Sequence, residues 1–318
     1  MEGIITFVGM DAHKNSIYVA MLKPGSTEPL IWVIPNTAEA VRRMVRQIKR
    51  EAVGEIRCCY EAGPCGYTLQ RQLTKEGVHC IVIAPSMIPR KPGDRVKTDR
   101  RDARKLAEMY RGGLLTEGRP PSPEQEAIRD LCRCREDAKQ DETRCRHRLG
   151  KMLLRRGLIW REGKAWTLAH RRWLRSLHFE HAVDQVVFDQ YLLAVEQAEE
   201  RVKSMEEKVE QVAQQEPYLE PVGWMRCFRG IDTTTAMTVA TELHDFRRFP
   251  SPRKLMGYLG FGVSEDTSGG KPKRMGITKT GNGHVRRVLI ESAWHYRHRP
   301  MTGEALRKRR KGQPARMI

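Results

Sequence analysis

Apolar residues open the chain in short runs separated by turns. IITFVGMD (4–11) is apolar and ends in an acid, and NSIYVAML (15–22) and PLIWVIPN (29–36) follow after short polar gaps. These runs predict three strands joined by short turns. TAEAVRRMVRQIKR (37–50) changes to a helical period, with Thr37 at the capping position. EIRCCYEAG (55–63) predicts a strand that again ends in an acid, GYTLQRQLTKEG (66–77) a helix stopped by Gly77, and VHCIVIAP (78–85) another strand. The order β-β-β-α-β-α-β mixes a meander with crossovers. That suits an RNase H-like core better than a doubly wound nucleotide domain, and no GxGxxG or Walker-type loop is present.

After a Pro- and Gly-containing stretch, TDRRDARKLAEMYRGG (98–113) predicts a helix capped by Thr98 or Asp99. Ala103, Leu106, Ala107 and Tyr110 form its apolar stripe, and Gly112-Gly113 ends it. GRPPSPEQ reads as a linker, and a largely helical stretch runs from about 123 to 216. Within it Phe188, Tyr191, Val195, Ala198, Val202, Met205, Val209 and Val212 are spaced 3-4-3-4-3-4-3, the stripe of a coiled coil. Residues 184–216 carry nine acids and three bases, so this helix expects another helix as its partner, in the chain or in a second subunit, rather than nucleic acid. Pro217 and Pro221 break it. WMRCFRGIDTTTAMTVATEL then reads as helix, Gly230 turn, helix, the outline of a helix-hairpin-helix whose turn amides hold a DNA phosphate.

Charge narrows the partner. The 318 residues hold 58 Lys and Arg against 39 Asp and Glu, a net of +19, which calls for a polyanion. A membrane is the weaker choice, since no 18-residue apolar run or lipidation signal occurs. MEGIITFVGMDAHK lacks a basic segment followed by a long apolar run, so a cytoplasmic chain without a signal peptide is expected. The eight cysteines contain no CxxC and read as isolated reduced thiols. Residues 271–318 hold 14 Lys and Arg against Glu291 and Glu304 alone; the tail from 301 to 318 is basic, and its end KRRKGQPARMI (308–318) is expected to be disordered.

Four acids stand where chemistry is expected. Asp11 follows the first strand run, Glu61 ends a later strand, and Asp99 and Asp102 open a helix three residues apart, on one face. A hard divalent cation takes several oxygen ligands, and paired cations about 4 Å apart drive phosphoryl transfer. Taken singly, Asp99 is a helix cap and Asp102 an ion-pair partner; taken together, the four form an RNase H-like metal set. Arg100, Arg101, Arg104 and Lys105 surround the pair and are candidate phosphate contacts, though they spread around the helix and not all face one cleft. In GVSEDTSGGKPKR, Ser268 precedes Gly269-Gly270 and the cations Lys271, Lys273 and Arg274. A hydroxyl so placed suits attack on a phosphodiester, although no histidine is adjacent and none follows before His284, and from sequence mechanics alone a polar loop is the simpler reading. Lys279, Arg286 and Arg287 extend the basic set.

Taken together, VGMDAHK, YEAG, KTDRRDARKLAE, CFRGIDTTTAMTVATEL, RRFPSPRKLMGYLGF and DTSGGKPKRMGITKTGNGHVRRVLIESAW resemble the DEDD insertion-sequence transposases, the family numbered one-hundred-and-ten, also described as bridge-RNA-guided recombinases. The resemblance covers about residues 4–111 and 222–295. It implies a RuvC-like RNase H fold at 1–118, a helical spacer with a coiled coil at 119–217, and a small, mainly helical transposase domain at 218–300 with a helix-hairpin-helix-like element. It implies Asp11, Glu61, Asp99 and Asp102 as a tetrad for Mg2+, with Mn2+ as the alternative ion. It further implies Ser268 as a nucleophile that joins covalently to a DNA end, giving strand exchange between donor and target DNA. A structured noncoding guide RNA and a homo-oligomer, dimer or tetramer, complete what it implies. Two positions depart from the family pattern: Thr267 stands where serine is common, and RGID where a GxG turn is commoner. The alternatives are a Holliday-junction-resolving or other metal-dependent endonuclease that uses water, and a non-enzymatic nucleic-acid-binding protein.

Overall fold

β1 (Ile5–Ala12), β2 (Ser16–Leu22) and β3 (Leu30–Pro35) form the antiparallel meander that the apolar runs predict. The chain crosses through α1 (Ala38–Glu51) to β4 (Glu55–Glu61) and through α2 (Thr68–Lys75) to β5 (His79–Ile83). β4 runs parallel to β1, and β5 parallel to β4. After α3 (Asp99–Arg111), the short β6 (Glu117–Gly118) pairs antiparallel to β5, giving the order β3-β2-β1-β4-β5-β6. This computed structural model describes residues 3–89, 98–268 and 271–317, with the side chains of Ser268, Lys271 and Pro272 outside the described set.

Local sequence accounts for the helix ends. The Thr37 hydroxyl accepts from Ala40 N at the start of α1, and the Thr98 hydroxyl from Arg101 N at the start of α3. Of the two capping candidates for α3, Thr98 is the cap and Asp99 the first helical residue. At the other end Gly113 adopts φ 65°, a left-handed conformation that glycine accepts without strain, and its N–H bonds to Tyr110 O.

Strand alternation divides the sheet into two faces. Val8, Met10, Cys58, Tyr60 and Val82 point to the side covered by Val41, Met44 and Ile48 of α1 and Leu69 and Leu73 of α2. Ala20, Leu22, Cys59 and Ile81 point to the other side, where α3 packs with Ala103, Leu106 and Ala107. The result is a mixed α/β sheet with helices on both faces, consistent with an RNase H-like fold. α3 sits very close to β1: a Cβ on Gly9 would lie 2.3 Å from Ala103 O and 2.4 Å from Ala107 N.

The chain divides into two units, Met1–Pro121 with Met256–Gly281, and Ser122–Leu255 with Asn282–Ile318. In the second, α4 (Pro123–Arg155) starts at a capping box made by Ser122 and Gln125. α5 (Leu168–Ser176) follows, then α6 (Ala182–Ala213). Arg135 pairs with Glu206, Arg146 with Glu199 and Arg156 with Asp184, so α6 returns antiparallel along α4. The alternate stripe positions Phe188, Val195, Val202 and Val209 are buried. The helix partner expected for this stripe is therefore α4 of the same chain. α7 (Leu219–Met225) and α8 (Thr233–Leu243) flank the Gly230 turn, and Asp232 caps α8 through Thr235 N. α9 (Pro252–Tyr258) leads into the antiparallel ribbon β7 (Val263–Ser268) and β8 (Lys271–Ile277), and α10 (Gly283–Trp294) returns the chain to the second unit.

The C-terminal segment differs from the expected disorder. It forms α11 (Glu304–Arg310), buries Leu306, and donates from Arg309 to Ile231 O and from Arg310 to Cys227 O. Two of its basic side chains, Arg309 and Arg310, thus serve carbonyls beside the Gly230 turn, which a reading of charge alone misses. Among the described residues no helix is long and apolar enough to cross a membrane.

Candidate metal centre

Asp11 is the penultimate residue of β1, on the same face as Gly9 and therefore on the α3 side of the sheet. The adjoining turn is pinned twice: His13 N–H donates to Ser16 O at 2.8 Å, and Asn36 Nδ2 donates to His13 O at 2.7 Å. Asp99 begins α3, whose close seat on Gly9 brings its first turn to the end of β1.

These constraints gather three donors. His13 Nε2 lies 3.2 Å from Asp11 Oδ2 and 3.4 Å from Asp99 Oδ1. One ligand atom from each of Asp11, His13 and Asp99 lies within 4.8 Å of the others. Asp11 is the shielded member, its side chain 17% exposed, while Asp99 at 44% faces solvent. Burial raises the Asp11 carboxyl above its ordinary value; His13 opposes that, and the negative fields of Asp99 and Asp102 add to it. Two mutually repelling carboxylates beside an imidazole, open on one side, suit a divalent cation, which would relieve the repulsion between the acids.

The four sequence-predicted acids are thus placed unequally. Asp11 and Asp99 meet. Asp102, three residues along the same helix face, is near enough for its charge to act on Asp11. Glu61 ends β4 next to Asp11 in register, since Met10 pairs with Tyr60, and alternation puts it on the same side of the sheet. It is exposed and not part of the close group. His13 escapes a search for acids. Its signal is the i, i+2 spacing from Asp11 at a strand end, which places the two side chains on one face.

The basic candidates also divide. Arg104 grips Glu28 with both terminal nitrogens, at 2.8 and 3.0 Å, and Glu108 with Nε at 2.7 Å, so its guanidinium ties the β2–β3 turn to α3. Arg287 is held by Glu136 and Glu291. Arg274 stands 3.7 Å from Glu265 across the ribbon, and Lys273 pairs in register with Asp266. Lys279 takes a left-handed φ of 56°. Arg100, Arg101 and Lys105 project around the first turns of α3, and Arg286 lies on α10. The side chain of Lys271, like that of Ser268, lies outside the described residues, as do Gly269 and Gly270.

A transposase family model of the DEDD type named for IS110 matches residues 8–156, the segment that carries all these acids. A second, described as the transposase IS116/IS110/IS902 family, matches residues 225–307. The transposase for insertion sequence element IS1533 of Leptospira borgpetersenii is 37% identical over 318 residues, covering 98% of this chain and 91% of that one. The chain belongs to the IS116/IS110/IS902 family of transposases. It is an enzyme that acts on DNA, which disposes of the purely binding alternative. The transposase is also 40% identical over 303 residues to the protein y4qE of Sinorhizobium fredii, covering 94% and 73% of the two chains. The transposase for IS1328 of Yersinia enterocolitica is a more distant relative, 22% identical over 306 residues.

One expectation is overturned. The sequence reading assigned strand exchange to a serine–DNA ester at Ser268. The cluster that forms is Asp11, His13 and Asp99, the donor set of divalent-metal chemistry in a DEDD-type transposase. With a divalent cation bound, Asp11, His13 and Asp99 would hold a centre able to activate a solvent nucleophile, which would not require a protein ester. The metal-dependent alternative that uses water is the better reading.

Proposed function

We propose that this transposase breaks DNA strands by divalent-metal-dependent hydrolysis of phosphodiester bonds, with water as the nucleophile. The convergence of Asp11, His13 and Asp99 where β1 meets the start of α3 carries the proposal. Asp11 and Asp99 supply anionic oxygens, and the His13 imidazole bridges them and sets their spacing. Glu61 and Asp102 supply the remaining carboxylates, from the neighbouring strand and from one turn further along α3. When bound, Mg2+ or Mn2+ supplies Lewis-acid stabilisation of the pentavalent phosphate and a lowered pKa for the attacking water. Arg100, Arg101 and Lys105 provide positive field for the DNA backbone at the same helix start. The proposal takes donor and target DNA as substrates, a structured noncoding RNA as guide and a dimer or tetramer as the working form. The net charge of +19 and the sequence resemblance support that part.

The test is a cleavage assay on labelled duplexes bearing element ends, and on four-way junctions, with and without Mg2+. Free 3′-hydroxyl and 5′-phosphate ends are expected, with no label on the denatured protein. Asp11→Asn and Asp99→Asn are each expected to slow cleavage by about 10³-fold, since metal-centre stabilisation is worth several kcal/mol. Cleavage that persists in EDTA, or a protein–DNA adduct that survives denaturation, would sink the proposal.

A further inference from the structure

We propose that one end of the helical hairpin, formed by the last turns of α4, the segment 157–167 and α5, is a binding surface for the sugar–phosphate backbone of a nucleic-acid duplex. α4 changes sign along its length. Residues 123–143 hold seven acids and four bases, whereas residues 144–181 hold eleven Lys and Arg against Glu162 and Glu180 alone. The antiparallel return helix α6 is acidic, and it neutralises only part of this excess.

Ion pairs show which cations are spoken for. Arg144 pairs with Asp141, Arg146 with Glu142 and Glu199, Arg156 with Asp184, Arg171 with Glu199, and Arg175 with Glu196. The other six, Arg148, Lys151, Arg155, Arg161, Lys164 and Arg172, are all exposed, and none has an ion-pair partner among the described residues. Arg148, Lys151 and Arg155 fall at i, i+3 and i+7, one stripe of α4. It lies away from Leu149, Met152 and Leu153, which face the core.

Like charges at this spacing weaken a helix by a few tenths of a kcal/mol per pair, so the stripe costs stability unless an anion meets it. The stripe spans about 10 Å at a rise of 1.5 Å per residue. Phosphates of one duplex strand rise about 3.4 Å per step, so three cations face roughly three phosphates.

The support beneath the stripe is closely packed. The Arg146 guanidinium lies 4.8 Å over the Trp166 ring, and Glu199 joins it to Arg171 through bonds of 2.7–2.8 Å. Trp160, Trp166, His170 and Trp173 pack ring against ring between these helices. Their aromatic area is spent on holding α5 in place, so contact with the duplex falls to the cations rather than to stacking.

The test uses the full-length protein in EDTA, so a failed metal centre leaves it unaffected. Binding of matched DNA and RNA duplexes is measured across a salt titration for the wild type and for the triple variant Arg148→Gln, Lys151→Gln, Arg155→Gln. Because all three side chains are exposed, the variant keeps its fold, which circular dichroism verifies. The slope of log K against log salt is expected to fall in magnitude by about 2–3, near 0.9 per lost DNA phosphate contact and somewhat less for RNA, with affinity down about tenfold or more. A control carrying Lys203→Gln and Lys208→Gln on the acidic α6 is expected to bind as the wild type does. Loss with DNA alone assigns the surface to substrate, loss with RNA alone to a structured RNA, and loss with both to their common backbone. An unchanged slope with both duplexes, or an equal loss in the control, overturns the proposal.

Discussion

Asp11 is held at a cost to the metal-free fold. Its carboxyl is raised by burial and by the charges of Asp99 and Asp102, so the stability it contributes is greatest when it is protonated. That contribution is lost as pH rises through the folded-state value. At neutral pH, Asp11→Asn is expected to raise Tm in EDTA and to abolish the rise in Tm that Mn2+ gives the wild type, both read by scanning fluorimetry. A lower Tm in EDTA would contradict the electrostatic account. Gly9 sets the second residue-level condition. Gly9→Ala puts a methyl into the backbone of α3 and is expected to cost about 1–3 kcal/mol, with weaker Mn2+ binding by calorimetry because Asp99 moves with the helix. The acids were legible in the sequence because they sit at strand ends and in a helix's first turn. His13 was not, because its second partner, Asp99, is brought to it only by the packing of α3.

Among the elements, α4, α8 and α10 are joined by one buried carboxylate. Glu242 on α8 accepts from Arg133 Nε at 2.7 Å and from Asn282 Nδ2 at 2.6 Å. Burial pushes its pKa up, but Arg133, Asn282 and His284 outweigh this and hold it below its ordinary value. Its contribution to stability is therefore present above the unfolded value of 4.5 and is lost as pH falls below it toward the folded value. Glu242→Ala removes the carboxylate shared by Arg133 and Asn282, and because Arg133 is 40% exposed and regains water the expected cost is about 1–3 kcal/mol. Its thermal unfolding should also depend less on pH in the acid range than that of the wild type. In the helical hairpin, Phe188→Ala is expected to cost about 3–5 kcal/mol, measured by denaturant unfolding, since Phe188 is fully buried against Phe179 and its neighbours. The heptad stripe of α6 was readable from spacing, yet spacing is the same for any partner helix. Only the ladder of pairs from Arg135 to Arg156 identifies α4.

At the scale of the whole molecule, charge reads well as a class of partner and poorly as a location. The basic tail shows why: Leu306 is an apolar anchor among Arg307, Lys308, Arg309 and Arg310, and two of those arginines turn inward to backbone carbonyls. Removing residues 304–318 is expected to lower the Tm of the second unit by several degrees in calorimetry, an outcome a disordered tail would not give. The Ser268 reading failed for a related reason. A hydroxyl among cations looks chemical in a sequence, but chemistry follows the group that the fold assembles, and here that group is on β1 and α3. This has a consequence in time. Asp11 and His13 leave the ribosome early, and the meander, β4 and β5 all emerge before Asp99 does. A growing copy that has not yet reached Asp99 holds two of the three donors and no assembled centre. The cation-binding group therefore comes into being only when α3 settles onto Gly9, so metal affinity is gained at that step of folding.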